Sequence, residues 1–171
     1  MTDLSAFAEL ARLDHGLCVL STSRRDGSVV ASVVNAGVLQ HPLTGVPVVG
    51  FVARGLRKLD HLRADTRATI VARAASRWAA VEGSVDIFGP DDPHPDIGSE
   101  SLRLLLRNIF VAAGGTHDDW DTYDRVMADE KSAAVLLTPR RTYPNSVDQL
   151  AREDRSNGRS SGARRGLVST S

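Results

Sequence analysis

Three cationic side chains lie close together where an apolar run ends and a helical pattern begins. Residues 48–53 are mostly apolar, and Arg54, Gly55, Arg57 and Lys58 follow within five positions. The positive end of the helix dipole disfavours cations in the first turn of a helix. Free backbone N–H groups at a helix start, a glycine that lets a ligand approach closely and nearby cations together form an anion site. The pattern therefore predicts a corner that binds phosphate.

A second interpretation of this corner needs no ligand. The three cations would then be solvated, with Asp60 and Asp65 available to pair with them. In either case Leu56, Leu59 and Leu62 are expected to pack one side of the helix against the rest of the domain. We favour the anion site because the glycine, the helix start and the cations coincide.

Other familiar catalytic patterns are absent from the predicted domain. There is no P-loop lysine or G-x-G-x-x-G motif, and the G-x-S-x-G match at residues 158–162 lies in the Ser-, Gly- and Arg-rich tail with no strand before it, which argues against hydrolase, nucleotidyl and Rossmann functions. The five histidines have no metal-ligand spacing, and the acidic turn at residues 91–96 is better explained by turn and cap formation. We therefore predict no metal site.

Composition limits the partners and the location of the protein. The 171 residues fit one domain, and the formal net charge of zero gives no global field to attract nucleic acid. No apolar run approaches the roughly 20 residues that span a bilayer, and the N-terminus lacks a signal-peptide pattern. We expect a cytoplasmic protein that binds neither nucleic acid nor membrane, with Cys18 as a buried apolar residue.

The elements that must position the corner are mostly strands. A short amphipathic helix with Phe7, Leu10 and Leu13 on one side precedes two strands joined at Asp26-Gly27, a strong hairpin signal. Three further strands follow at short intervals, which favours an antiparallel barrel or sandwich. Two helices at about 90–130 then precede a last strand, in which Pro139 should lie near the end or on an edge.

Those two helices and the C-terminal segment complete the predicted organisation. Trp120, Tyr123 and Met127 should form one face of the second helix, and Thr116 with Asp119 resembles a capping box. Residues 146–171 are rich in Ser, Gly and Arg and are expected to be a disordered tail, leaving one domain at 1–145 with a helical insertion at about 90–130.

This succession resembles a known family. The segments "ASVVN" at 31–35, "FVARGLRKLDHLRADTRATIV" at 51–71 and "WAAVEGSV" at 78–85 are similar to the pyridoxamine 5'-phosphate oxidase-like flavin and deazaflavin oxidoreductases. The resemblance covers about 4–143, and its most specific part is the Arg-Gly-x-Arg-Lys corner. The short chain and the form of that corner resemble the actinobacterial branch that uses coenzyme F420.

The resemblance implies a fold, a reaction and a set of site residues. The fold would be mainly β with peripheral helices, an antiparallel split β-barrel like that of FMN-binding proteins. The chain would form a homodimer with its sites at the interface and would use F420, or FMN as the alternative, to exchange hydride with a small-molecule substrate. The implied cofactor contacts are, in chain order, Ser32, Val33, Val34, Asn35, Arg54, Gly55, Arg57, Lys58 and Trp78.

Catalytic side chains are not predicted, because hydride transfer relies on the cofactor and the protein supplies binding, orientation and exclusion of water. The helical insertion departs from the family pattern and would cover the substrate mouth or extend the dimer interface. Two other functions remain open: a barrel that binds flavin or haem without turnover, and a structural protein whose corner binds another anion.

Overall fold

A computed structural model describes residues 2–145, so the predicted tail at 146–171 lies outside the described residues. The strands are β1 (Leu17–Ser23), β2 (Val29–Gln40), β3 (Pro47–Ala53), β4 (Arg67–Ala74), β5 (Arg77–Phe88) and β6 (Ala133–Pro144). The helices are α1 (Ser5–Leu13), α2 (Leu56–Ala64), α3 (Ser99–Ala112) and α4 (Trp120–Asp129). None of these helices is long and apolar enough to cross a membrane.

The strands form a closed antiparallel barrel in the order β1-β2-β3-β6-β5-β4, which β4 closes by pairing with β1. The hairpin between β1 and β2 turns at Gly27, whose φ of 83° lies in the region that favours glycine. The Asp26 carboxylate accepts hydrogen bonds from the backbone N–H and the hydroxyl of Ser28 and so fixes the turn. The predicted barrel and hairpin are confirmed.

Two apolar cores hold the fold together. The first fills the barrel and is covered by α1 and α2, with Phe7, Leu20, Phe51 and Ile70 fully buried. The second lies between α3, α4 and the outer surface of β3 and β6; it contains Val48, Leu105, Leu106, Ile109, Tyr123, Met127 and Leu136. The insertion is therefore packed on the barrel, and α4 buries Tyr123 and Met127 as predicted.

Some local predictions differ from the structure. Leu13 is 57% exposed because α1 ends there and its side chain points away from the barrel, so the prediction that it packs with Phe7 and Leu10 was wrong. Asp119 itself caps α4 by accepting from the Thr122 N–H, so the predicted cap at Thr116 was also wrong. Pro139 lies in the middle of β6, where that strand has left β3 and pairs with β5 alone, in agreement with the predicted edge.

Close backbone contact fixes α3 on the barrel. A Cβ atom on Gly37 of β2 would lie 2.2 Å from the carbonyl carbon of Ala112, and one on Gly16 would lie 2.4 Å from the carbonyl oxygen of Ala113. The C-terminal end of α3 therefore lies directly on β2 and on the turn before β1, at a separation that only glycine permits.

Candidate cofactor-binding site

The predicted corner is the junction of β3 and α2. Gly55 precedes the helix with φ 82° and ψ 146°, a backbone conformation that is essentially restricted to glycine. No side chain caps this end of α2, and its first turn carries no acidic residue. The first backbone N–H groups of α2 therefore remain available to an anion.

Arg54 is paired, but with a residue that the sequence did not indicate. Its guanidinium lies 3.0 Å from the carboxylate of Glu130, just after α4, and contacts the Met127 sulfur at 3.9 Å. Both members of this ion pair are substantially exposed, so solvent weakens the attraction between them. Arg54 thus joins the corner to the end of α4.

The acidic residues expected to neutralise the corner are engaged elsewhere. Asp60 accepts a hydrogen bond from Arg63 at 3.1 Å. The Asp65 carboxylate pairs with Arg67, which lowers the pKa of Asp65 to about 2. Neither carboxylate pairs with a cation of the corner, so that part of the solvated interpretation is not supported.

Lys58 and Arg57 differ in their surroundings. Arg57 is exposed, whereas Lys58 is half-buried, and burial lowers the pKa of its ammonium group below the ordinary value. The ion pairs formed within residues 2–145 include neither residue. The helix packs through buried Leu59 and Leu62, whereas Leu56 is 68% exposed, so the prediction that Leu56 packs inward was wrong.

A cleft of about 590 Å³ opens beside this corner. Its walls come from the turn before β1, from β2, from the end of β3, from the start of α2 and from the two helices of the insertion. The lining residues are His15, Val33, Val34, Asn35, Val52, Arg54, Lys58, Ile109, Phe110, Ala113, Gly114, Gly115 and Tyr123. In the described part of the chain, no aspartate or glutamate lines this cleft, whereas Arg54 and Lys58 do, and the carboxylate paired with Arg54 lies outside the lining.

Five of the nine residues implied by the resemblance line the cleft: Val33, Val34, Asn35, Arg54 and Lys58. Gly55 and Arg57 adjoin it in the same corner without lining it, and Ser32 is half-buried one residue before the lining stretch of β2. The Asn35 amide donates to the His15 carbonyl oxygen at 3.2 Å, so this side chain also holds the neighbouring turn.

Trp78 lies apart from the cleft. It is the second residue of β5, at the end far from the corner, where its ring packs edge-on against Tyr143 with centroids 6.3 Å apart. Its backbone N–H donates to the Asn145 side chain at 2.9 Å, and the residue is 36% exposed. Within a single chain it therefore does not contribute to the site.

The helical insertion supplies a wall that was not predicted from the sequence. Phe110 and Tyr123 line the cleft with ring centroids 5.1 Å apart, and Trp120 packs behind them, 5.4 Å from Tyr123. The Arg107 guanidinium lies over the Trp120 ring at 5.0 Å. The aromatic spacing in α4 predicted a buried face, but which strand surface it covers depends on tertiary packing.

Polar contacts lock this wall in place. Arg103 and Arg107 of α3 both donate to the Asp124 carboxylate of α4, each with a hydrogen bond of 2.8 Å, and this lowers the pKa of Asp124. The Tyr123 hydroxyl donates to the Leu106 carbonyl oxygen at 3.1 Å, and burial raises the pKa of Tyr123. The two helices therefore form one rigid unit beside the cleft.

Comparison with known proteins identifies the fold. No protein-family model and no curated protein matches the sequence. Among solved structures, the conserved hypothetical protein Rv2991 from Mycobacterium tuberculosis is similar with a TM-score of 0.57 and 19% identity, over 96% of this chain and 92% of that one. A pyridoxamine 5'-phosphate oxidase-related, FMN-binding protein from Nostoc punctiforme gives 0.58 and 12% identity, over 83% and 84%.

A third similar structure is described as an F420 reductase, with a TM-score of 0.50 and 14% identity over 74% of this chain and 88% of that one. At these identities the likeness concerns the fold, and it agrees with the order and direction of the six strands described above. The chain thus has the split-barrel fold of the pyridoxamine 5'-phosphate oxidase-like, FMN-binding proteins.

Proposed function

We propose that this protein is a cytoplasmic oxidoreductase that uses coenzyme F420 to transfer hydride to or from a small organic substrate, with FMN as the alternative cofactor. One observation carries the proposal. The cleft joins an apolar strand surface at Val33 and Val34 to a cationic helix start at Arg54 and Lys58. An apolar surface beside a cationic end suits a planar ring that carries a phosphate.

The residues of the corner fit that phosphate. Lys58 is half-buried, and charge on a half-buried ammonium group is more favourable when an anion lies nearby. Gly55 leaves the backbone accessible, because no heavy atom lies within 4 Å of where its Cβ would be. Arg54, Lys58 and the first N–H groups of α2 would hold the phosphate, while β2 would support the ring. The bound cofactor would supply the hydride chemistry.

Sequence features and one similar structure favour F420 over FMN. The form of the corner and the Ala- and Arg-rich composition are typical of actinobacterial F420-dependent proteins, and one structure with this fold is described as an F420 reductase. Another is described as FMN-binding. The corner would contact only the ribityl phosphate that both cofactors share, so its charge alone does not favour one cofactor over the other.

Calorimetric titration of ligand-stripped protein with F420 and, separately, with FMN tests the proposal. We expect saturable binding of F420, with FMN weaker. Tighter binding of FMN would transfer the protein to the flavin-dependent group. Binding of neither would refute the proposal and leave the corner to another anion.

The distinction between an enzyme and a carrier needs turnover. Multiple turnovers of reduced cofactor by a catalytic amount of protein, with an added organic acceptor, are expected of an oxidoreductase. A protein that binds the cofactor tightly but gives no more oxidation than a protein-free control would be a carrier or sensor.

We further propose a homodimer that forms through the outer surface of β2, β1 and β4. Val33, Val19 and Val71 are register partners across these strands and share one outward surface. Val33 is 64% exposed and Val19 is 39% exposed, and contiguous exposed apolar side chains mark interaction surfaces. Because Val33 also lines the cleft, the site adjoins this surface, and Trp78 of one chain is proposed to help close the site of the other.

Sedimentation analysis of Val19→Glu tests the interface without altering the cleft, since Val19 does not line it. We expect the wild type to sediment as a dimer and the variant as a folded monomer. An unchanged dimer would place the interface elsewhere, and a monomeric wild type would refute the dimer.

A further inference from the structure

His15 lines the cleft but has no part in the phosphate corner or the aromatic wall. It occupies the turn between α1 and β1, and it is exposed. Within residues 2–145, the hydrogen bonds and ion pairs of histidine rings belong to His41, His94 and His117. The imidazole of His15 is therefore available to a ligand in the cleft.

The backbone presents this imidazole from a fixed position. His15 has φ 54°, a conformation that is uncommon for residues other than glycine. The Asn35 side chain donates to its carbonyl oxygen at 3.2 Å, and the next residue, Gly16, donates to the Ala11 carbonyl oxygen at 2.7 Å. Gly16 also lies against Ala113 at the end of α3. The turn is thus held from α1, β2 and α3.

The other ionisable residues of the lining are unsuited to give a proton to a substrate. The Arg54 guanidinium is not deprotonated in proteins. The Tyr123 hydroxyl is occupied by the Leu106 carbonyl oxygen at 3.1 Å. Lys58 belongs to the corner at the start of α2, where the proposed function assigns it to the phosphate. Histidine, by contrast, is the usual side chain for proton transfer near neutral pH.

His15 and the corner lie on opposite sides of strand β2. In the barrel order β2 lies between β1 and β3. His15 precedes β1 and Arg54 follows β3, so the imidazole and the phosphate corner lie on opposite sides of β2. A ligand that extends from the corner across β2 would place its ring system, and any substrate stacked on it, toward His15.

We propose that His15 is a catalytic residue that donates a proton to the substrate during reduction. The inference rests on the proposed function and adds its proton donor. The substrate would be an uncharged molecule with a polarised double bond, because the remaining lining includes the apolar Ile109, Phe110 and Ala113.

The step balances for an α,β-unsaturated ketone. The β-carbon would accept hydride, a proton with two electrons, which a bound reduced deazaflavin or flavin supplies, and the C=C π bond would break. Its electron pair moves toward the α-carbon and the carbonyl oxygen. The N–H bond of the His15 imidazolium breaks, and its proton completes the new C–H bond at the α-carbon. Solvent then returns a proton to the exposed imidazole.

The test uses His15→Gly and His15→Asn in the full chain, with 2-cyclohexen-1-one as the acceptor. Both replacements tolerate positive φ, and glycine does so without strain, so the fold and the cofactor affinity should be kept. We expect kcat to fall by roughly 10²-fold in both variants, within the range typical of a lost general acid. Imidazole added to the buffer should restore part of the rate in His15→Gly, which leaves room for it, but not in His15→Asn.

A second readout does not depend on turnover. The imidazole resonances of His15, assigned by their loss in His15→Gly, should shift in NMR spectra when F420 or FMN is added. Those of His94, which does not line the cleft, should stay in place. Unchanged resonances with a bound cofactor, or unchanged kcat in both variants, would overturn the role of His15 alone. Failure of both cofactors to bind would overturn the proposed function and this inference with it.

Discussion

Replacement of Lys58 by methionine should separate cofactor binding from stability. The substitution removes the charge but keeps a long, flexible side chain in a half-buried position. Loss of one hydrogen bond to a charged group costs roughly 1.5–3 kcal/mol. At about 1.4 kcal/mol for each tenfold change, the dissociation constant for the phosphorylated cofactor should rise about 10- to 150-fold.

The free energy of unfolding should not fall together with the affinity for the cofactor. Burial lowers the pKa of Lys58, which means that the folded state disfavours its charged form relative to the unfolded chain. Removal of the charge should therefore not reduce the free energy of unfolding of cofactor-free protein at pH 7. In the wild type this cost disappears as the pH rises through the lowered pKa toward the ordinary value of 10.5, so stability relative to Lys58→Met should increase over that interval.

Calorimetric titration and urea unfolding, with Lys131→Met as the matched control, measure the two effects. Lys131 is an exposed lysine outside the cleft and should leave both quantities unchanged. A control titration with riboflavin, or with the phosphate-free deazariboflavin, should show little effect of Lys58→Met. An equal loss of affinity for phosphorylated and phosphate-free ligands would refute the assignment of Lys58 to the phosphate. A large loss of stability would refute the account of its burial.

Three further outcomes are expected from the remaining features of the fold. Gly37→Ala should destabilise the protein by about 1–3 kcal/mol, because the new methyl group meets the Ala112 backbone and forces α3 to move, and it should also weaken cofactor binding. Gly98→Ala, which has open space at its Cβ and loses only a glycine at the N-cap of α3, should cost less in the same urea titration. Gly55→Val should cost about 1–3 kcal/mol through its positive φ, and an unfolding midpoint equal to that of the wild type would contradict the strain argument. Burial raises the pKa of the Cys18 thiol from 9.0 to about 12, so native protein should not react with a disulfide reagent at pH 8. The stability that the neutral thiol contributes should be lost as the pH rises from 9 toward 12 in the wild type, whereas Cys18→Ala should show no such loss.

The sequence determined most of the secondary structure for local reasons. Asp26-Gly27 specified the first hairpin because glycine accepts positive φ and the aspartate bonds to Ser28. Alternation of apolar residues specified strands, and helical spacing specified the insertion. The placement of cations beside Gly55 indicated an anion site before any tertiary contact was known, because the helix dipole and the backbone N–H groups are local properties.

Tertiary structure decided which residues meet at that site. Arg54 pairs with Glu130, which is distant in sequence, and the acidic residues nearest to the corner are taken by other arginines. Trp78 lies outside the cleft, whereas Phe110 and Tyr123 form its wall. These outcomes follow from the register of the barrel and from the close contact of α3 with Gly37, which bring together segments that no local pattern relates.

The place of His15 in the cleft also depends on tertiary structure and not on a local sequence pattern. By itself the sequence presents one histidine before a glycine at the end of a short helix, with no motif around it. Closure of the barrel places that turn beside Asn35, and the insertion covers it from the other side. The sequence by itself therefore determined the strands and the helices, and it predicted a local anion site. The packing of α3 and α4 on the barrel decided the shape of the cleft and its lining, because these depend on contacts between distant segments.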